Sequence, residues 1–308
     1  MRGRRVLFLY PGALGDFLCF LPALLGFREK RPDAEILLVA RSEWLSLLRD
    51  EAIETHDLDS REVAELYSPE PPWVPRKLLE GVDEVHSWSG RGDADFLRCL
   101  SESGGRRRAR VYSFRAFAAG EHAVDYYARC LGVEPKPVFL SPREEERRWV
   151  AGWLDRQKLG GKPLLALHPG SGSKRKNWEG FPALARWWEA KGGAVVWLVG
   201  PAEDGLYFPE GAVLFRQELP RVVALLERAS FYAGNDSGIT HLAAAAGCRG
   251  LALFPEESFP SWSPRSPLFR TVVARRDGTC GCRVLCRHGL PEERVLDEAE
   301  AWWRMAQT

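Results

Sequence analysis

The chain has 308 residues, 45% of them hydrophobic and 28% charged, which is enough for two soluble domains of ordinary size. A net charge of +1 excludes a general attraction to nucleic acid, and no run reaches the ~18 apolar residues that a membrane-spanning helix needs. The seven cysteines are an odd and mostly scattered set that fits reduced thiols, and with no signal peptide evident the expected location is the cytoplasm.

Residues 4–10 form an apolar run behind two arginines, the pattern of a parallel strand buried on both faces. Pro11-Gly12-Ala13-Leu14-Gly15-Asp16 follows, and residues 17–25 read as a helix. Asp16 at the helix start either caps it or faces the crevice where open α/β sheets bind ligands. The glycines lack the G-x-G-x-x-G spacing, which disfavours a dinucleotide site. Strands are expected at 34–40, 83–86 and 110–114 and a helix at 121–131, with a Pro-rich loop at 68–75. Asp93-Ala94-Asp95 has the spacing of a metal-nucleotide element but opens an ordinary helix, so helix capping is its expected role.

Prolines at 135, 137 and 142, a charged helix over 143–158 and the turn Gly160-Gly161-Lys162-Pro163 mark a linker at about 133–162. The expected division is 1–158 and 159–308. The second series predicts strands at 164–168, 194–199, 212–215 and 231–234, helices at 181–190 and 220–228, and a closing helix over 291–305.

Two turns of this second series carry anion chemistry. His168-Pro169-Gly170-Ser171-Gly172-Ser173-Lys174-Arg175-Lys176-Asn177-Trp178 leaves a buried strand with glycines, hydroxyls and three cations, a set suited to a phosphate chain. It lacks the Walker spacing, so ATP hydrolysis is not supported. Gly234-Asn235-Asp236-Ser237-Gly238-Ile239-Thr240-His241 reads as a strand end, a polar turn and a helix start near Ser237, with Asp236 and Ser237 able to cap it. Free first-turn amides and the positive helix end suit phosphate or carboxylate. Four alanines let the helix lie close to a sheet, Gly247 ends it, and a strand follows from Gly250.

Together Gly12–Asp16 (G-A-L-G-D), Leu21–Leu24 (L-P-A-L), His168–Trp178, Gly200–Glu203 (G-P-A-E) and 234–247 resemble the ADP-heptose:lipopolysaccharide heptosyltransferases, glycosyltransferase family nine. The resemblance implies an α/β GT-B fold, two Rossmann-like domains with parallel sheets facing across a cleft, the N-terminal one binding acceptor and the C-terminal one nucleotide-sugar. It implies inverting transfer of a sugar, heptose from ADP-heptose, to a hydroxyl of a lipopolysaccharide-core-like or other glycan acceptor. By position, Asp16 resembles the catalytic base, within the acceptor-side loop of Gly12, Ala13 and Gly15. Lys176 resembles the lysine that neutralises donor phosphate, with Lys174 a neighbour for that role and Ser171 and Ser173 as phosphate contacts. Glu203 and Asp236 are matched to the ribose and nucleoside. Ser237, Gly238 and Thr240 belong to the pyrophosphate cradle, and His241 either contacts phosphate or packs beneath the helix.

No cofactor is required on this reading: magnesium is not implied, since fixed amides and ammonium groups can meet the leaving diphosphate. Cys280, Cys282, Cys286 and His288 have a C-x-C-x3-C-x-H spacing outside the common structural zinc patterns, and unligated thiols are the expectation. Expected partners are a nucleotide-diphosphate sugar, an ADP-sugar by the resemblance, and a glycan or lipid-linked acceptor, with peripheral contact at the inner face of the cytoplasmic membrane. The rival readings are an epimerase or hydrolase of sugar nucleotides on the same fold, and a non-catalytic nucleotide-sugar binding protein.

Overall fold

A computed structural model of the chain describes residues 3–48, 52–70, 76–102, 108–200, 203, 208, 211–274 and 289–305. Two compact units emerge: Met1–Ala119 with Ala123–Pro137, and Gly120–His122 with Val138–Thr308.

The first unit runs β1 (Arg5–Leu9), α1 (Leu14–Lys30), β2 (Glu35–Ala40), α2 (Ser42–Leu45), β3 (Ile53–Asp57), α3 (Arg61–Ala64), β4 (Glu84–Ser87), α4 (Ala94–Glu102), β5 (Arg108–Val111) and α5 (Ala123–Leu131). Its five strands are parallel in the order β3-β2-β1-β4-β5. Val6 to Leu9 are fully buried because β1 is central and covered on both faces, as its uninterrupted apolar run requires. Behind it α1 packs on α5, and Tyr10, Phe20, Trp88 and Tyr127 stack edge and face into one aromatic cluster. Asp93 caps α4, its Oδ1 accepting from the Phe96 amide at 2.8 Å.

The second unit runs α6 (Glu144–Arg156), β6 (Leu164–His168), α7 (Phe181–Glu189), β7 (Ala194–Val199), β8 (Ala212–Phe215), α8 (Leu219–Arg228), β9 (Phe231–Asn235), α9 (Gly238–Ala245), β10 (Gly250–Pro255), α10 (Phe259–Trp262), β11 (Phe269–Ala274) and α11 (Glu292–Arg304). Six parallel strands lie in the order β11-β10-β9-β6-β7-β8. One face is closed by Trp178, Phe181, Trp188 and the closing helix, so Trp187-Trp188 and Trp302-Trp303 are core aromatics rather than sugar platforms.

The division falls after Pro137 and not at 158, because α6 packs on α8 of the second unit. Arg147 fastens the two helices with a bidentate pair to Glu227 at 2.7 and 2.8 Å. Cys280, Cys282, Cys286, His288 and the Pro-rich stretch 71–75 lie outside the described residues. Among those described, no helix is long and apolar enough to cross a membrane.

Candidate active site

In both sheets the chain adds strands to one side of a starting strand and then crosses to the other. β1 is followed outward by β2 and β3 before β4 takes its opposite edge, and β6 is followed by β7 and β8 before β9 does the same. Loops diverge at such a switch point and leave a crevice at the carboxyl ends of the strands, where open α/β sheets hold ligands. The segment after β1 carries Asp16. The segments after β6, β7 and β9 carry the remaining candidates described.

In the second unit Asn235, fully buried at the end of β9, ties both ends of the 169–178 loop to the sheet. Its amide donates to the Pro169 carbonyl at 2.7 Å, and its Oδ1 accepts from the Trp178 amide at 3.2 Å. Within the loop the Ser171 hydroxyl donates to the Ser173 carbonyl at 2.6 Å, and Ser173 Oγ accepts from the Arg175 amide at 3.4 Å. These hydroxyls hold the loop in shape. Lys176, at the end of the turn Lys174–Lys176, extends its ammonium to Asp236 Oδ2 at 2.6 Å. The side chain of Lys174 lies outside the described residues.

Ser237 is the N-cap of α9, its hydroxyl accepting from the Thr240 amide at 3.4 Å. Asp236 does not cap: its carboxylate faces Lys176 instead. The Thr240 hydroxyl is wholly buried and donates to the Asn235 carbonyl at 2.5 Å while Tyr232 reaches it from below at 2.9 Å, so Thr240 shapes the turn from inside. Gly234 is required there because a Cβ would stand 2.1 Å from the Tyr232 hydroxyl. Gly238 opens α9, whose first amides have no partner within the helix and point outward with its positive end. His241 is buried on the first turn.

Glu203 is buried, with Oε2 accepting from the Gly200 amide at 2.7 Å. Its other oxygen fills the space where a Cβ on Gly170 would stand, 1.8 Å away. His168 lies beside it at the end of β6, its Nδ1 donating to the Leu198 carbonyl at 3.0 Å. Burial pushes the His168 pKa below the ordinary value against the opposing pull of that carbonyl and of Glu203. Burial thus favours the neutral imidazole.

In the first unit the helix begins three residues earlier than the sequence suggests, with Ala13 as N-cap and Asp16 in the first turn. Asp16 makes no cap. Its carboxylate is buried, at 3% exposure, and takes a bidentate pair from Arg115: Nε to Oδ1 at 2.7 Å and Nη2 to Oδ2 at 2.6 Å. The pair raises the Arg115 pKa through that hydrogen bond. Gly12 admits no side chain, since a Cβ would meet Tyr10 at 2.6 Å and Asp16 at 2.8 Å, and its carbonyl accepts from Trp44 Nε1 at 3.0 Å. Beneath Asp16 the Tyr10 and Tyr127 hydroxyls bond at 2.7 Å. Both pKa values are raised by burial first; Tyr127 and Asp16 raise that of Tyr10 further, and Asp16 raises that of Tyr127 against the hydrogen bond from Tyr10.

The structure thus brings Lys176, Asp236, Ser237 and Gly238 together at one switch point, with Ser171, Ser173 and Thr240 as their internal supports. Sequence reasoning missed Asn235 as the tie between the two loops, although it sits inside the quoted motif, and missed Arg115, which no motif announces. Among the described residues, no group of three or more His, Cys, Asp or Glu is placed to hold a metal ion.

Residues 143–283, which include the loops after β6 and β9, match the model of glycosyltransferase family 9 (heptosyltransferase). This stretch is similar to the glycosyltransferase family 9 enzymes. The resemblance seen in the sequence holds, and the chain is a glycosyltransferase. No curated protein sequence matches it. Its fold, two Rossmann-like units of the GT-B type, is shared over nearly its whole length with solved relatives of low identity. The family 9 glycosyl transferase from Veillonella parvula DSM 2008 is 17% identical, with 99% of each chain covered and a TM-score of 0.76. E. coli ADP-heptose lps heptosyltransferase II is 18% identical, with 99% of this chain and 100% of that chain covered and a TM-score of 0.73. E. coli heptosyltransferase WaaC with ADP is 15% identical, with 97% and 99% covered and a TM-score of 0.63.

Proposed function

We propose that this chain transfers a sugar, with inversion at the anomeric carbon, from an ADP-sugar of the heptose type to a hydroxyl of a glycan acceptor. The observation that carries the reading is the Lys176 ammonium held by Asp236 just ahead of the N-terminus of α9, within the stretch that matches family 9. A diphosphate at that point receives one full charge and the positive end of a helix.

The roles follow from chemistry. Asp16 takes the proton of the acceptor hydroxyl as the new carbon–oxygen bond forms on the opposite face of the sugar from the leaving group. The bond from the anomeric carbon to the donor phosphate breaks, and the electron pair leaves on the nucleoside diphosphate. Lys176 and the α9 amides meet that growing charge, so no step is assigned to a metal ion. Glu203 accepts from the ribose and Asp236 orients Lys176. Adenine as the base rests on the ADP-heptose and ADP of the E. coli relatives. The acceptor is a lipopolysaccharide-core-like or lipid-linked glycan by the same comparison, met at the inner face of the cytoplasmic membrane.

The test is a thermal-shift series with ADP, UDP, GDP and TDP, with and without magnesium, followed by turnover of Asp16→Asn. Selective stabilisation by ADP that needs no magnesium supports the donor assignment. Preference for another nucleotide overturns the ADP-sugar, and unchanged turnover in Asp16→Asn overturns the base.

A further inference from the structure

The pairing of Asp16 raises a question that its proposed role does not answer. A base needs an oxygen open to the proton it takes, yet both carboxylate oxygens are held by Arg115 and the side chain is 3% exposed. The guanidinium is unlike its partner: 52% of the Arg115 side chain is exposed, and it leans over the ring of Phe114 at 5.3 Å from its centroid. Arg115 also holds a left-handed backbone, φ 56°, which a non-glycine residue adopts only where its surroundings impose it.

We propose, resting on the assignment of Asp16 as the base, that Arg115 is a latch on the catalytic carboxylate, and that an anionic group of the acceptor, phosphate or carboxylate, releases it. A buried carboxylate stripped of the charged partner that holds both its oxygens is strongly disfavoured, so the latch does not open by itself. It opens by exchange of partners. The acceptor's anion takes the Nε and Nη2 donors of Arg115 in place of Asp16, in the same bidentate geometry, while the acceptor's hydroxyl donates into the carboxylate oxygen set free. The base then becomes available only when a hydroxyl is present to be deprotonated, and water, which offers no anion, is not activated. The specificity this implies is for an acceptor whose nucleophilic hydroxyl lies next to a negative group. Arg115 is a positioning residue: it acts on the reaction through Asp16.

The experiment follows the Arg115 Nε–Hε signal by NMR in the full-length protein, identified by its loss in Arg115→Lys, as inorganic phosphate is added. The latch predicts a saturable shift of this signal. It also predicts an apparent phosphate affinity at least about fivefold tighter in Asp16→Asn, where the competing carboxylate is gone, the lower end of coupling between two linked sites. The response persists in Lys176→Ala, which removes the cation of the other anion site. A signal that ignores phosphate, an affinity unchanged by Asp16→Asn, or a response lost in Lys176→Ala overturns the latch.

Kinetics separate acceptor-borne from donor-borne anions. At saturating ADP-sugar, phosphate is expected to inhibit competitively against the acceptor, and competition only against the donor overturns the acceptor assignment. The failure of the latch is distinct from that of the base. Asp16→Asn that is inactive, with an Arg115 signal blind to phosphate, removes the latch alone, whereas unchanged turnover in Asp16→Asn removes the base and the latch with it.

Discussion

Lys176 Nζ stands 2.6 Å from Asp236 Oδ2 and joins the loop after β6 to the turn after β9 across the switch point of the second sheet. The lysine side chain is 36% exposed and the aspartate 10%. A pair this open to water contributes little to stability, about 0–1 kcal/mol. Its consequence is positional: a long flexible side chain is held just ahead of the N-terminus of α9.

Lys176→Ala should therefore leave the melting temperature nearly unchanged and lower kcat/KM for the ADP-sugar by roughly 100-fold, the usual loss when one preorganised charge partner is removed. Asp236→Asn should fall between this variant and the parent, because the ammonium remains but loses its guide. Steady-state kinetics beside a thermal melt check both. Wild-type kcat/KM in Lys176→Ala would remove the lysine from the donor site.

Gly170→Ala tests the placement of Glu203. The new methyl would stand 1.8 Å from Glu203 Oε1, and the carboxylate end is the part that can move. Moving it breaks the 2.7 Å bond from the Gly200 amide, at a cost of about 1–3 kcal/mol. The expected result is ADP binding weakened about tenfold by calorimetry, at 1.4 kcal/mol per tenfold change. Gly170→Ala combined with Glu203→Ala should cost less than the sum of the two, since the residues share one contact.

The readable parts of the chain were those where one physical demand dominates. β6 and β7 announce themselves because a strand buried on both faces must be apolar throughout. β3 escaped because it is an edge strand, Ile53-Glu54-Thr55-His56-Asp57, with Ile53 its one buried residue. Both candidate loops stood out because glycine and hydroxyl side chains, with lysines in the first, cluster within a few positions. Arg115 was not: it reaches Asp16 across 99 residues from an irregular segment, and its neighbours carry no pattern that fixes where it points. The division of the units was misplaced for a related reason. The charged helix α6 reads as a linker by composition, and only its packing on α8 shows which unit owns it.

Two glycines in helices should respond to alanine in opposite directions. In α1, a Cβ on Gly26 would lie 2.0 Å from the Glu134 carbonyl oxygen, a backbone atom that cannot turn aside. The gain in helix propensity, about 1 kcal/mol, is smaller than the cost of driving two backbones apart, so Gly26→Ala should destabilise by about 1–3 kcal/mol. In α6, the nearest atom to a Cβ on Gly152 is the mobile Arg156 Nη1 at 3.4 Å. Propensity wins there, and Gly152→Ala should stabilise by about 0.5–1 kcal/mol. Urea midpoints of the two variants decide the matter, and an unaltered midpoint in Gly26→Ala would contradict the close approach of α1 to the segment after α5.

Stability should fall as the pH drops below about 6.5, and His168 is one cause. Burial lowers its pKa in the folded protein from the ordinary 6.5, so between that value and the folded-state one the unfolded chain binds a proton that the folded chain refuses. The unfolded state then holds more protons, so stability rises with pH across this window and is lost as pH falls. The slope is up to about 1.4 kcal/mol per pH unit for each such histidine. His86, also buried and lowered first by burial despite the pull of Glu84, adds in the same direction. Glu84 is different: burial opposes its ionisation, but Arg31 and His86 outweigh burial and hold its carboxyl below the usual 4.5, so its contribution is lost only in stronger acid. Denaturant midpoints between pH 7.5 and pH 5 therefore isolate the histidines. His168→Asn keeps a donor for the Leu198 carbonyl without a titrating ring, and the slope over that range should fall by one proton. An identical slope in parent and variant would mean that His168 is protonated in the folded protein, and the reading of a neutral imidazole at the base of the 169–178 loop would be lost.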